Sequence, residues 1–282
     1  MRGFSLVELS IVLVILGLLT GGILGGQALI RAAELRSVSN DVAKYITAAN
    51  TFRDKYLAVP GDMPNAVRFW GAQAGGSADG VDNTCRSLDR NSPATGTPTC
   101  NGNGDGDIAQ YANMVTLGNP MYESYRAWQH LANAALVEGS YAGVADAVGG
   151  TLSSGPGSTL GWNVPASRIS RAGYAFVSLG EKSAGNSAVT SGYLIQGSYG
   201  NTLLFGFGNG SIYHHMPFGP VISTEESWNI DTKMDDGLPG TGRVMSPGIA
   251  QHNCATATSP SATYNFTNKN SAACGLIFKT GF

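Results

Sequence analysis

Apolar and polar positions follow three different rhythms along this chain. Residues 4–30 are apolar almost without interruption and carry no charge from Leu9 to Ile30. As a helix this run is about 40 Å long, enough to cross a hydrocarbon core of about 30 Å. The pattern then changes without a break. Leu35, Val38, Val42, Tyr45, Ile46, Ala49, Phe52 and Tyr56 recur at three- and four-residue steps, with Arg36, Asp41, Lys44 and Asp54 on other faces. That is an amphipathic helix, and Pro60, Gly61 and Pro64 stop it near Tyr56. One helix of about 50 residues is expected, half suited to lipid and half to a head.

Further on the rhythm is irregular and then shortens. Residues 57–120 read as an excursion, with a helical turn at 65–70 and a Gly/Ala/Asp-rich loop at 71–82. Residues 122–137 form a helix with Tyr125, Trp128, Leu131, Ala132 and Ala135 on one face. Residues 139–171 are Gly/Ser-rich. Segments 174–179, 192–196, 202–207 and 211–214 are short, aromatic and apolar, with Gly200-Asn201 and Asn209-Gly210 at hairpin spacing. An antiparallel meander laid on the amphipathic helix is the expected architecture. Ser223-Thr224-Glu225-Glu226 is a capping box that opens a helix to about Met234. The expected class is α+β: a long N-terminal helix, an antiparallel sheet packed on it, and long disulfide-closed loops.

Composition narrows the functions. The 282 residues carry 17 Lys+Arg against 19 Asp+Glu, a net charge of −2, so no basic face for nucleic acid is expected. The 39 glycines point to many turns and long surface loops. All four cysteines, Cys85, Cys100, Cys254 and Cys274, follow the apolar run, and the even count suits two disulfides in an oxidising compartment. Of three connectivities, Cys85–Cys100 and Cys254–Cys274 close the shortest loops. No CxxC spacing supports zinc instead. With four histidines and no HExxH, GxSxG or Walker A pattern, no catalytic constellation assembles, and an enzyme is not expected.

Glu8 is the carboxylate at the start of the apolar run. Near a bilayer centre such a charge costs about 2.5–3.5 kcal/mol, so it calls for a partner. Cutting after Gly3 would free the α-amino group of Phe4, cationic over much of the neutral range with a reference pKa of about 7.7–8. Gly3-Phe4-Ser5-Leu6-Val7-Glu8, a small basic leader before it and a long apolar helix after it, resemble the prepilin signature of type IV pilins and type II secretion pseudopilins. An ordinary secretory signal peptide ending near Gly26-Gln27-Ala28 is the competing reading. Against it stand the length of the apolar run, the acid where positive charge belongs, and a helical pattern that continues past the cut.

The resemblance covers about 30 residues, and it implies a division into leader 1–3, membrane and filament-core helix 4–30, amphipathic half 31–56 and head 57–282. It implies cleavage and N-methylation at Gly3/Phe4 by a prepilin peptidase/methylase, and pairing of Glu8 with a neighbour's Phe4 amine. The partners implied are other pilin or pseudopilin subunits, in a homo- or hetero-polymer. The subunit would wait as a single-pass protein of the bacterial inner membrane, head in the periplasm, and end in a periplasmic or extracellular filament. Gly17, Gly21 and Gly25, with Gly22 and Gly26 beside them, form small-xxx-small ridges suited to close helix packing there. The segment 231–242 resembles one in which an Asp-Asp-Gly turn leads to a final strand, here 243–245. The alternative is a minor pilin or adhesin whose large head recognises a surface, another pilin or DNA.

One stretch suggests a ligand. Asn101, Asn103, Asp105 and Asp107 alternate with glycines, and Ile108 follows, like the first eight positions of a calcium loop. Ala112 stands where the closing acid belongs, so Glu123 or another acid would have to supply it, and a Gly/Asn-rich turn explains the same letters. For Asp231, Asp235 and Asp236 a cap and turn with solvated carboxylates is expected.

Overall fold

The structure, a computed structural model, describes residues 5–73, 97–108, 123–144, 146–147, 156–207, 216–248, 253–269 and 271–282. Its spine is α1, Leu6–Tyr56, a single 51-residue helix. Ser5 caps the start, and Leu57 ends it in a left-handed conformation, its N–H on the Arg53 carbonyl, three residues before the first proline. The two halves of α1 differ as their patterns predict. Its side chains are exposed or half-exposed up to Arg36, and from Ser37 one stripe is buried: Val38, Val42, Tyr45, Ala48, Ala49 and Phe52.

That stripe lies in the main core, together with α3 (Glu123–Asn133) and a four-stranded sheet. Trp128 of α3 is the hub: Tyr45 meets its ring edge-on at 4.9 Å, and Phe176 packs against it at 4.8 Å. Tyr174, fully buried, reaches α1 with its hydroxyl, which donates to Asp41 Oδ2 at 3.1 Å. Above them α2 (Val67–Trp70) brings Trp70 beside Phe52, Tyr56 and the His130 ring.

The sheet is antiparallel with strand order β3-β4-β8-β6: β3 Ala172–Lys182, β4 Gly197–Phe207, β6 Val244–Met245 and β8 Leu276–Lys279. Two small pairs flank it, β1 Asp146–Ala147 with β2 Pro156–Gly157, and β5 Ile222–Ser223 with β7 Ala272–Cys274. The capping box holds: Ser223 caps α4 (Thr224–Met234), Ser223 Oγ accepts from the Glu226 N–H, and Glu226 Oε2 accepts from the Ser223 N–H. Cys254 and Cys274 are joined. Cys100 is also disulfide-bonded, and Cys85, the partner expected for it, lies outside the described residues.

Several expectations are corrected. Gly200-Asn201 is not a hairpin turn but lies inside β4, where Gly200 pairs with Gly180 across a register shift. Both glycines have positive φ, 60° and 56°, so the two strands bulge together instead of ending. Residues 192–196 form no strand; Leu194 and Ile195 are buried from irregular backbone. The sheet is no simple meander, because β8, from the end of the chain, runs between β4 and β6, so 243–245 is not the last strand. The helix expected over 122–137 stops at Asn133, and Ala135 has positive φ (58°). The strand expected at 211–214, the turn at Asn209-Gly210 and most of the loop at 71–82 lie outside the described residues.

Candidate functional site

Glu8 begins the structure's most distinctive surface. Its Oε2 accepts the Ser5 N–H at 2.9 Å, and Ser5 Oγ accepts the Val7 N–H at 3.3 Å. The carboxylate thus answers the unpaired N–H groups and positive dipole end of its own helix. Gly3 and Phe4 lie outside the described residues. Beyond Glu8, α1 is long and apolar enough to cross a membrane, and its most apolar stretch is not covered by the head. Ser10 and Thr20 return their hydroxyls to the Val7 and Leu16 carbonyls, so these polar groups are satisfied within the helix. A side chain at Gly17, Gly21, Gly22, Gly25 or Gly26 would meet nothing within 4 Å, so this small-residue face is open.

The apolar surface ends at an ion pair. Arg31 Nε donates to Glu226 Oε1 at 2.6 Å and its Nη2 to Oε2 at 2.8 Å, a bidentate clamp to the first turn of α4. Nη1 reaches Glu34 of α1 at 2.9 Å. Burial works against the Glu226 carboxylate, but the Arg31 guanidinium and the Ser223 N–H hold it below its ordinary range.

In the loop 101–108, each of the four expected calcium ligands accepts a hydrogen bond from the protein. Asn101 Oδ1 accepts the Val67 N–H at 2.9 Å and so begins α2. Asp107 Oδ1 accepts from the Ser178 hydroxyl at 2.9 Å. Asn103 and Asp105 do lie together, each accepting the N–H two residues on, at 3.0 and 2.9 Å. Glu123, the acid considered for closing the site, accepts the Asn103 N–H at 3.1 Å. The loop's interior is lined by N–H donors and filled by another acid. Asp62 takes the Gly104 N–H on Oδ1 and the Gly106 N–H at 2.8 Å on Oδ2. Burial raises the Asp62 carboxyl above its ordinary value, and these N–H groups pull the other way. A nest of N–H groups around a carboxylate suits an anion, whereas calcium needs a cage of oxygens. The residues present do not fit that ion in this arrangement.

Acid ligands do gather elsewhere. Among the described residues, Asp231, Asp235 and Asp236 place oxygens within 4.8 Å of one another. The turn expected there is present: Asp236 accepts from the Leu238 N–H and the Thr241 hydroxyl, and Asp235 from the Arg243 and Val244 N–H groups that lead into β6. Asp231, however, is not solvated but fully buried. Its Oδ2 accepts the Tyr264 hydroxyl at 2.8 Å and its Oδ1 the Gly237 N–H at 3.2 Å. Burial, opposed by those two donors and aided by Asp236 and Asp235, pushes its pKa up to about 7. Tyr264 sits in the segment tied down by the Cys254–Cys274 bridge, and the Asn265 N–H bonds the Cys254 carbonyl.

Sequence reasoning missed a buried polar chain in α3. The Gly61 N–H donates to His130 Nδ1 at 3.0 Å, so Nε2 carries the proton and faces Thr99 Oγ1 at 3.1 Å. Thr99 donates to Gln129 Oε1, which also accepts from Arg126, and Arg126 reaches Gln73. Burial pushes His130 down to about 3 and the Arg126 guanidinium down to about 9. A neutral histidine with both nitrogens engaged ties loops together and is no proton carrier near pH 7. The faint signal was the helical spacing of Arg126, Gln129 and His130, a polar face opposite the apolar one on a helix buried on both sides.

No protein-family model, no curated protein and no solved structure matches the chain.

Proposed function

We propose that this chain is a structural subunit of a type IV pilus or type II secretion pseudopilus. In this reading it is cut after Gly3 and methylated at Phe4 by a prepilin peptidase/methylase, held in the inner membrane by residues 4–30, and polymerised through α1. The observation that carries the proposal is the bare half of α1. A 51-residue helix leaves its first half uncovered while its second half is built into the core, with one acid, Glu8, at the exposed start. A surface so apolar needs lipid or other helices against it. In the filament, neighbouring copies of α1 provide that cover, and Glu8 leaves its own cap for a neighbour's Phe4 amine. The Cys254–Cys274 bridge suits an oxidising periplasm.

The size of the head, about 225 residues by the division above, supports a second role as a minor subunit whose head binds a surface, another pilin or DNA. One experiment tests the structural reading. Glu8→Ala should still insert in the membrane, because a costly buried carboxylate is gone, yet leave cells with few filaments. Wild-type filament numbers in that variant refute the role given to Glu8. Intact-mass measurement of the mature protein should find N-methylated Phe4 at its start, and a start at Leu29 would refute the pilin reading.

A further inference from the structure

α4 is moored where α1 turns from apolar to polar. Arg31 is the first cation of α1 and grips Glu226 in the first turn of α4. Trp228 follows two residues later, a rise of about 3 Å along the helix axis. Its side chain is not needed by the core, which α4 closes with Ser227, Ile230 and Asp231. Trp228 is instead 39% exposed, and Phe266, 46% exposed, meets it edge-on at 6.0 Å. The exposed charges near them in the chain have both signs: Glu225 and Lys233 on α4, and Lys269 beyond Phe266.

We propose that Trp228 and Phe266 form an aromatic foot that rests in the headgroup layer of the membrane spanned by α1. The inference builds on the reading of residues 4–30 as a membrane helix. From Leu6 to Ile30 that helix measures about 37 Å, against about 30 Å of hydrocarbon and 40–45 Å with the headgroups. Arg31 therefore stands at the level of the headgroups, and the Glu226 clamp brings the start of α4 to the same level. Trp prefers that layer, with an apolar ring in the acyl boundary and an N–H among polar groups. The area of the pair also favours lipid over a second copy. Two rings exposed to this extent offer about 200 Å², far below the roughly 800 Å² per partner of a stable protein interface.

The test uses the full chain in vesicles of phosphatidylethanolamine and phosphatidylglycerol, with and without lipids brominated near the headgroup end of the acyl chain. The wild type is compared with Trp228→Phe, a change small enough to leave the fold intact. Trp70, Trp128 and Trp162 are common to both proteins, so the difference spectrum belongs to Trp228. The expected result is a blue-shifted Trp228 emission that loses about half its intensity in brominated vesicles. Trp228 emission unaffected by bromine, in protein that resists alkaline extraction, overturns the foot and leaves the membrane helix standing. Protein that washes off at alkaline pH overturns both. If Trp228 is shielded from acrylamide only at high subunit density, with no bromine quenching, the face belongs to a second copy and the proposal fails.

Discussion

Replacing Asp231 by Asn should make the head more stable at pH 8 while changing little at pH 5. The wild-type carboxyl is fully buried, and its pKa is raised to about 7 from 3.8. A raised carboxyl pKa means that the folded state holds a proton which the unfolded state has already released. Stability from this group is therefore present below pH 4 and drains away as the pH rises to about 7. At 1.36 kcal/mol per unit, the loss is about 2 kcal/mol between pH 5 and 7 and nears 3 kcal/mol by pH 8. Asn keeps an oxygen for the Gly237 N–H and never ionises. Wild-type data alone would mislead, because His130, pushed down to about 3, works in the opposite direction. Below its ordinary value of about 6.5 the unfolded chain takes up a proton that buried His130 refuses, so stability falls with acid. Only the difference between variant and wild type isolates Asp231. Thermal melts of the full chain in detergent, followed by near-ultraviolet circular dichroism, should show this difference growing by about 6–10 °C from pH 5 to pH 8. A difference that is flat over that range, or that shrinks, refutes the burial argument.

Other expectations concern single contacts. Gly102→Ala should destabilise the head by about 2–3 kcal/mol, read by urea melts, because a Cβ there would lie 2.3 Å from the Asp62 Cα, against backbone that cannot step aside. Millimolar calcium should leave the melting temperature unchanged, since the loop interior holds Asp62 and N–H donors; a rise that Asp105→Ala abolishes would restore the calcium loop. Glu226→Gln should cost about 1 kcal/mol at neutral pH, because the clamp is half-exposed, and the loss should fade in acid as the pH falls through the folded-state pKa of Glu226, which lies below its ordinary value. Removing the Cys254–Cys274 bridge, which spans 20 residues, should cost about 3 kcal/mol and release the Tyr264 segment from Asp231.

What was legible in the sequence is what local chemistry decides. The full length of α1, its change of face after Ile30 and its stop at Tyr56 follow from spacing and prolines, and the α4 box follows from Ser223 and Glu226. The errors lie where distant residues decide. Gly200-Asn201 is a favoured hairpin pair, but Gly180, twenty residues earlier, takes up the same bulge and keeps both strands going. β8 is only Leu276–Lys279, too short to announce itself, yet it pairs with β4 and β6. Asp231 looked like one more turn acid because its burial depends on Tyr264, 33 residues on. In the glycine-rich loop the alternating oxygens suit a calcium loop or a turn, and neither reading points to Asp62, some forty residues before it, which takes the loop's N–H groups.

The molecule divides at Arg31 into a part that covers itself and a part that cannot. From Leu6 to Ile30, fifteen large apolar side chains stand between 51% and 86% exposed. Covering them is worth on the order of 20 kcal/mol, more than the whole stability of a typical domain. Water is therefore no resting place for this surface. Lipid tails are as apolar as the helix itself, so in the proposed assembly the move from bilayer to filament gains little hydrophobic free energy. What can distinguish the two surroundings must be polar contact or closeness of packing. Glu8 is the one charge on the bare half of α1 beyond Ser5, and the open Gly17–Gly21–Gly25 face is where another helix can approach most closely. In this reading the choice between waiting and assembling rests on those few residues, while the leucines and valines make both states tolerable. Substituting the glycines by Leu should therefore spare insertion and weaken assembly, the same division of effects expected of Glu8→Ala.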